Sequence, residues 1–182
     1  MLETNKNYLE GISLVEDFQR IYPQNESFSH LLGYVNKPSK KDLNLPYISN
    51  MPLLNVGKQG LEKTFNELLV GQPGNREVEV NSSGRIIREI SKKLSTKGKE
   101  LNLSIDSKIQ KYLTSRIAEH KAGSIVLLDI ETGEILSMVS TPNFNSNLII
   151  QKPNVDYWNS LLNNSLSPLT NRSIQGLYAP GS

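Results

Sequence analysis

Asn171-Arg172-Ser173-Ile174-Gln175-Gly176-Leu177-Tyr178-Ala179-Pro180-Gly181-Ser182 carries a serine hydroxyl out of a Pro-Gly turn. Pro180 fixes its own φ and Gly181 reaches backbone angles closed to other residues, so the pair bends the chain and presents the next side chain. That side chain belongs to Ser182. A helix starting there would set the hydroxyl at the positive end of its dipole, and a lysine one turn later would be placed to take its proton. Ser182 is therefore a candidate nucleophile. The lysine's place falls outside the 182 residues.

Upstream of that stretch, Asp156-Tyr157-Trp158-Asn159-Ser160-Leu161-Leu162 predicts a short capped helix with Trp158 and Leu162 in the core. Gly123-Ser124-Ile125-Val126-Leu127-Leu128-Asp129 and Glu134-Ile135-Leu136-Ser137-Met138-Val139-Ser140 are apolar runs around the turn Glu131-Thr132-Gly133, which predicts a hairpin at the centre of a buried sheet. Asp129, Glu131 and Glu134 do not keep the calcium-loop register, so they read as turn residues. Leu101-Asn102-Leu103-Ser104-Ile105 alternates as a strand. Asp106 caps the helix after it, Ile109, Leu113 and Ile117 mark its buried face, and Gly123 ends it. His120 and Lys121 fall in that helix's last turn, where positive charge suits the dipole.

The polar, lysine-rich run Ser91 to Glu100 is the expected domain boundary, dividing the chain into residues 1–94 and 95–182. Before it, Val78 and Val80 alternate with Glu77 and Glu79, and Asn81-Ser82-Ser83-Gly84 turns the chain into Arg85-Ile86-Ile87-Arg88-Glu89-Ile90. This predicts a second hairpin, with Arg76, Arg85 and Arg88 facing Glu77, Glu79 and Glu89. Leu61, Phe65, Leu68 and Leu69 form one apolar stripe of a helix stopped by Gly71. Gly57-Lys58-Gln59-Gly60-Leu61-Glu62-Lys63-Thr64 is no phosphate loop, because Glu62 stands where a glycine is required. Residues 37–55 read as a long loop with at most a short helix, Ser27 to Val35 as a helical turn closed by Gly33 and then a strand, and Gly11 to Tyr22 as a short strand. His30, one of two histidines, reads as a core or capping residue.

Composition bounds the function. The chain is 37% hydrophobic and 21% charged, the balance of a globular protein, and its net charge of +2 gives no ground for a nucleic-acid or membrane-surface partner. It has no cysteine, which excludes disulfides, thiolate metal sites and a cysteine nucleophile. No apolar run approaches the ~18 residues needed to cross a bilayer, and Met1-Leu2-Glu3-Thr4-Asn5-Lys6 opens no signal-peptide core.

Several phrases in fixed order, from His30-Leu31-Leu32-Gly33-Tyr34-Val35 through Gly60-Leu61-Glu62-Lys63 and Gly123 to Pro142 to Tyr178-Ala179-Pro180-Gly181-Ser182, resemble the class B penicillin-binding proteins, most closely the elongation type. Asn145-Ser146-Asn147 departs from the Asp-Pro-Asn common in that family, and Tyr178-Ala179-Pro180 from Tyr-Pro-Pro. The resemblance implies an α+β fold: the end of a pedestal, or dimerisation, domain, then the opening of a transpeptidase domain whose sheet is incomplete. It implies that Ser182 is the serine acylated by a D-alanyl-D-alanine stem peptide, or by a β-lactam that imitates it, with no cofactor and no metal.

It also implies cell-wall elongation proteins as partners and a place on the periplasmic face of the bacterial inner membrane, through an anchor upstream of this region. The S-x-x-K lysine, the S-x-N motif and the K-T-G strand would all come after Ser182, so a chain confined to these residues is expected to be a piece cut at both sides and inert by itself. Two other readings remain open at this point: a non-catalytic module that docks cell-wall synthesis partners, and an unrelated α+β binding domain.

Overall fold

The apolar alternation at 123–141 folds back on itself through an Asx turn, in which the Asp129 carboxylate accepts the Glu131 and Thr132 amides at 2.8 and 3.0 Å. Those two bonds hold its carboxyl below the usual range, Thr132 contributing most. The strands so joined, Gly123–Leu128 and Ile135–Thr141, pair antiparallel with Gly123 opposite Thr141 and Val126 opposite Met138. They form one of three two-stranded sheets in this computed structural model, which describes residues 19–45, 48, 54–151 and 154–179.

In chain order the described elements are α1 (Ser29–Leu32), β1 (Val35–Asn36), β2 (Val56–Gly57), α2 (Gly60–Thr64), α3 (Asn66–Val70), β3 (Asn75–Val80) and β4 (Ile86–Lys93). They continue with α4 (Ser107–Ile117), β5 (Gly123–Leu128), β6 (Ile135–Thr141), α5 (Ser146–Ile150), α6 (Val155–Leu162) and α7 (Arg172–Gln175). Short 3₁₀ turns stand at Asn25–Phe28 and Asp42–Asn44. The α+β class and the sequence-predicted hairpins are therefore present, with small, unclosed sheets; the hairpin expected at the centre of a buried sheet stands instead as two strands, β5 and β6, with Val126, Leu127 and Leu128 exposed. The strand expected within Gly11 to Tyr22 lies almost wholly outside the described residues.

The core sits where the two halves of the chain meet. Phe144, which is 1% exposed, packs with Tyr34 and Leu161, and Ile149, Tyr157, Trp158 and Leu169 close around them. Tyr34 meets Phe144 edge to face, ring centroids 6.0 Å apart at 88°. Truncating Phe144→Ala leaves a cavity at this junction and is expected to cost about 3–5 kcal/mol, read as a fall in the midpoint of chemical unfolding.

Polar groups lace the same seam. Ser146 Oγ donates to the Gly33 carbonyl at 2.9 Å, and Gln59 Nε2 to that of Leu169 at 2.8 Å. Asn147 pairs with both main-chain groups of Tyr22, each at 3.0 Å. Gly33 lets the chain pass there: at φ 81° it lies against Gln59, whose carbonyl oxygen would stand 1.9 Å from an added Cβ.

Gln110 is likewise buried, 1% exposed. Its Nε2 donates to the carbonyls of Ser27 and Met138, both at 2.8 Å, and its Oε1 accepts from Ser137 Oγ at 2.7 Å and the Met138 amide at 2.9 Å. It joins α4, β6 and the first 3₁₀ turn.

By contrast β3 and β4 form a free ribbon, with all of β4 exposed and Ile86, Ile87 and Ile90 more than half so. Arg76 pairs with Glu89 at 2.6 Å and Arg88 with Glu79, as the cross-strand alternation predicts.

Four further sequence expectations need correction. The stripe from Leu61 to Leu69 is not one helix: the chain breaks at Phe65 (φ −108°, ψ 21°) between α2 and α3. The residues it buries are Glu62, held by Arg20 and Tyr22, and Asn66, whose Oδ1 accepts the Gly57 amide. Polar partners, not apolar area, set that face inward. Leu101 to Ile105 is no strand, because its link to β6 is one Ser104 hydroxyl bond, with the Asp106 amide bonding Leu136 just beyond.

The helix after Asp106 ends at Ile117, capped by Ala118, and Gly123 instead opens β5; its inward face is Gln110 and Ile117, with Ile109 and Leu113 half-buried. In α6 the cap is Asn154 and the buried leucine is Leu161, while Leu162 points outward. The polar run Ser91 to Glu100, where the domain boundary is expected, begins as the end of β4, and Thr96 bridges back to Gln72.

Candidate functional site

Asn171 starts the stretch that leads to Ser182. Its backbone is extended, its Oδ1 accepts the Ser173 amide at 3.0 Å, and its own amide donates to Gln175 Oε1 at 3.0 Å. This reciprocal cap fixes the one-turn helix α7. Asparagine with glutamine four residues later was a legible signal for it, obscured by the Pro-Gly turn downstream.

The turn is moored on the last residues of β6. The Arg172 amide donates to Ser140 Oγ at 3.0 Å, and Ser173 Oγ donates to the Val139 carbonyl at 2.8 Å. Ser140, 4% exposed, also reaches the Thr170 carbonyl at 3.4 Å. The Arg172 guanidinium closes the preceding loop onto the carbonyls of Leu166 and Ser167. Ser140 and Ser137 gave no sequence signal, since a serine in an apolar strand reads as filler until its partner is known.

After α7 the chain turns outward. Gly176 lies 2.5 Å, measured from an added Cβ, from the Arg172 carbonyl oxygen and 2.3 Å from the Tyr178 ring, so only a glycine lets the ring fold back. Leu177 is 99% exposed and Tyr178 64%. Pro180, Gly181 and Ser182 lie outside the described residues. The described track is therefore a tether: buried at Asn171, bonded to β6 through Arg172 and Ser173, and exposed by Leu177.

His30 backs this tether. It is 5% exposed, edge-on to Phe144 at 5.2 Å, with Nε2 3.1 Å from the Pro142 carbonyl oxygen, and its own carbonyl accepts Asn171 Nδ2 at 3.4 Å. Burial lowers its pKa below the usual 6.5; the Pro142 bond opposes that shift and Arg172 adds to it. This is the core role expected of it. His120 is exposed beyond the end of α4. Among the described residues no group of three or more His, Asp or Glu side chains is placed to hold a metal.

With this geometry in place, two families match in succession: the Penicillin-binding Protein dimerisation domain over residues 1–103 and the Penicillin binding protein transpeptidase domain over 123–182. The peptidoglycan D,D-transpeptidase MrdA of Acinetobacter baumannii is 37% identical over 177 residues, 94% of this chain and 26% of that protein. MrdA of Escherichia coli K12 is 34% identical over 183 residues, 98% of this chain and 29% of that protein. The solved complex between penicillin-binding protein PBP2 and MreC from Helicobacter pylori superposes with a TM-score of 0.77 at 32% identity, covering 94% of this chain and 32% of the other. The chain thus spans between a quarter and a third of the length of the proteins it matches.

Proposed function

Because this chain belongs to the class B penicillin-binding proteins, in the penicillin-binding protein 2 group, we propose that it is the part of a peptidoglycan D,D-transpeptidase that joins the pedestal to the nucleophile. In this reading residues 1–94 are pedestal, residues 95–182 open the catalytic domain, and Ser182 is the acylated serine. The observation that carries it is the tether: α7 is capped, bonded to Ser140 and Val139 of β6, and continued by an exposed run into Pro180-Gly181-Ser182.

The chemistry asked of the site is acyl transfer. Ser182 Oγ attacks the carbonyl between the two D-alanines of a donor stem peptide, the terminal D-alanine leaves, and an amine of a second stem takes the acyl group. A serine hydroxyl is hardly ionised at neutral pH, so a base within hydrogen-bond reach must accept its proton, and a lysine one helical turn after Ser182 is the group the family pattern supplies. What this chain contributes is placement. Anchoring the start of the track at Arg172 and Ser173 limits the positions the chain after it can take, and in acyl transfer a misplacement of about 1 Å costs on the order of 100-fold.

A partner from the cell-wall elongation machinery rests on the same resemblance, supported by the PBP2–MreC complex. So does a location on the periplasmic face of the inner membrane; among the described residues no helix is long and apolar enough to cross a membrane.

Fluorescent penicillin tests the reading directly. The protein expressed from its whole reading frame is expected to take a covalent label that prior excess of unlabelled penicillin blocks. A folded product that takes none, or a frame without lysine three positions after Ser182, would overturn it.

A further inference from the structure

His30 bonds the chain beside both partners of the contact that moors the tether. Its ring nitrogen meets Pro142, directly after β6, and its carbonyl meets Asn171, the cap of α7. It does so from α1, in the N-terminal half. A carbonyl oxygen only accepts, so Nε2 carries the ring proton and Nδ1 is the bare nitrogen. Nδ1 is buried and has no hydrogen-bond partner. A second proton would place an N–H with no acceptor in that space.

We propose that His30 is a positioning residue: its neutral imidazole clamps the N-terminal half against the Pro142 turn, which keeps the His30 carbonyl in place to receive the Asn171 cap and thereby sets the track that delivers Ser182. Its consequence for chemistry rests on the reading of Ser182 as the nucleophile; the clamp itself does not. Packing alone is a different account of the same burial, since the ring also fills space beside Phe144. The two accounts disagree about substitutions. Glutamine places an amide N–H at about the reach of Nε2 and lacks a ring, whereas phenylalanine keeps the ring and lacks the donor.

The clamp also has a sign in pH. Its neutral form is favoured in the folded state, so the contribution is complete above the ordinary pKa of 6.5 and is lost as pH falls towards the lower folded value. The charged groups on elements around α1 are Glu26 on the first 3₁₀ turn, Glu62 and Lys63 on α2, and Arg172 on α7. Glu62 is already bonded to Arg20 and Tyr22, and Arg172 opposes the imidazolium.

The test is amide hydrogen exchange of residues 172–176, with α4 as internal reference, in the protein expressed from its whole reading frame. His30→Phe is expected to speed exchange in α7 by roughly five- to tenfold, the worth of about one hydrogen bond, and to slow penicillin acylation. His30→Gln is expected to restore both. In the unsubstituted protein, exchange corrected for its intrinsic pH dependence should rise in α7 as pH falls below 6.5. The reverse ranking, with phenylalanine intact and glutamine loosened, would overturn the proposal, as would α7 protection that is flat with pH. Faster exchange with an unchanged acylation rate would overturn its link to Ser182. Should the unsubstituted protein take no penicillin, the functional reading fails while the exchange comparison still decides the clamp.

Discussion

Ser182→Ala is expected to abolish penicillin acylation while leaving the unfolding midpoint where it was. The covalent step consists of one bond, from Oγ to the acyl carbon, and alanine offers no atom to make it. Residual turnover through water activated in the same site would be lower by several orders of magnitude, on the order of 10⁴ or more. Stability should hardly change. Serine to alanine removes one oxygen and opens no cavity, so the change should stay within about 1 kcal/mol. Quantitative labelling with a fluorescent penicillin and a thermal melt on the same sample check both halves. Labelling of the alanine variant at the original rate would place the nucleophile elsewhere.

Gln110→Leu is expected to cost as much stability as truncating Phe144. The substitution is close in volume, so the argument is electrostatic and not one of cavities. Leucine removes both donors and the acceptor at once, leaving the carbonyls of Ser27 and Met138, the Met138 amide and the Ser137 hydroxyl to find other partners in a buried site. Each orphaned group costs about 1–3 kcal/mol if nothing replaces its partner. Allowing for rearrangement of the hydroxyl, a total near 3–5 kcal/mol is expected, or roughly a 10 °C fall in Tm for a unit of this size. Gln110→Glu should be nearly as damaging, because it keeps the acceptor but buries a charge where two donors stood. Loss of Ser27 and Met138 from the same cluster would also loosen β6, so the acylation rate should fall along with Tm. A Gln110→Leu protein as stable as the original would remove this residue from the set that joins the two halves.

These two residues mark the limits of what the sequence disclosed. Ser182 is proposed from the sequence because nucleophile chemistry leaves a local signature, a Pro-Gly turn before a serine, and because phrases in order along the chain resemble one family. Both hairpins were legible for a similar reason: period-two alternation and turn residues are local, and Asp129 and Asn81 each bond the turns they sit in. Gln110 was not legible. A glutamine on a helix reads as solvated until the opposite surface is known, and its partners lie 27 to 83 positions away in the chain.

The same long-range dependence explains the two failures of pattern. Leu61, Phe65 and Leu68 share a helical stripe, but the elements around them offered polar partners to Glu62 and Asn66, and the helix turned and broke to meet them. Leu101 to Ile105 alternates like a strand, yet a strand requires a neighbouring edge in register, and it meets β6 through a side chain. The division into two domains was drawn from composition at Ser91 to Glu100, where the chain does turn polar. Composition could not reveal that Tyr34 and Phe144, on opposite sides of that line, share one core.

The central claim is that the stretch from Asn171 is fastened to β6 so that Ser182 is delivered as a nucleophile. A crystal structure of the penicillin-treated protein, expressed from its whole reading frame, tests it most directly. The account predicts an ester on Ser182 Oγ, with the Arg172 amide still on Ser140 Oγ and Ser173 Oγ still on the Val139 carbonyl. An ester on any other side chain, or Ser182 carried by a stretch that has let go of Ser140 and Val139, would contradict it.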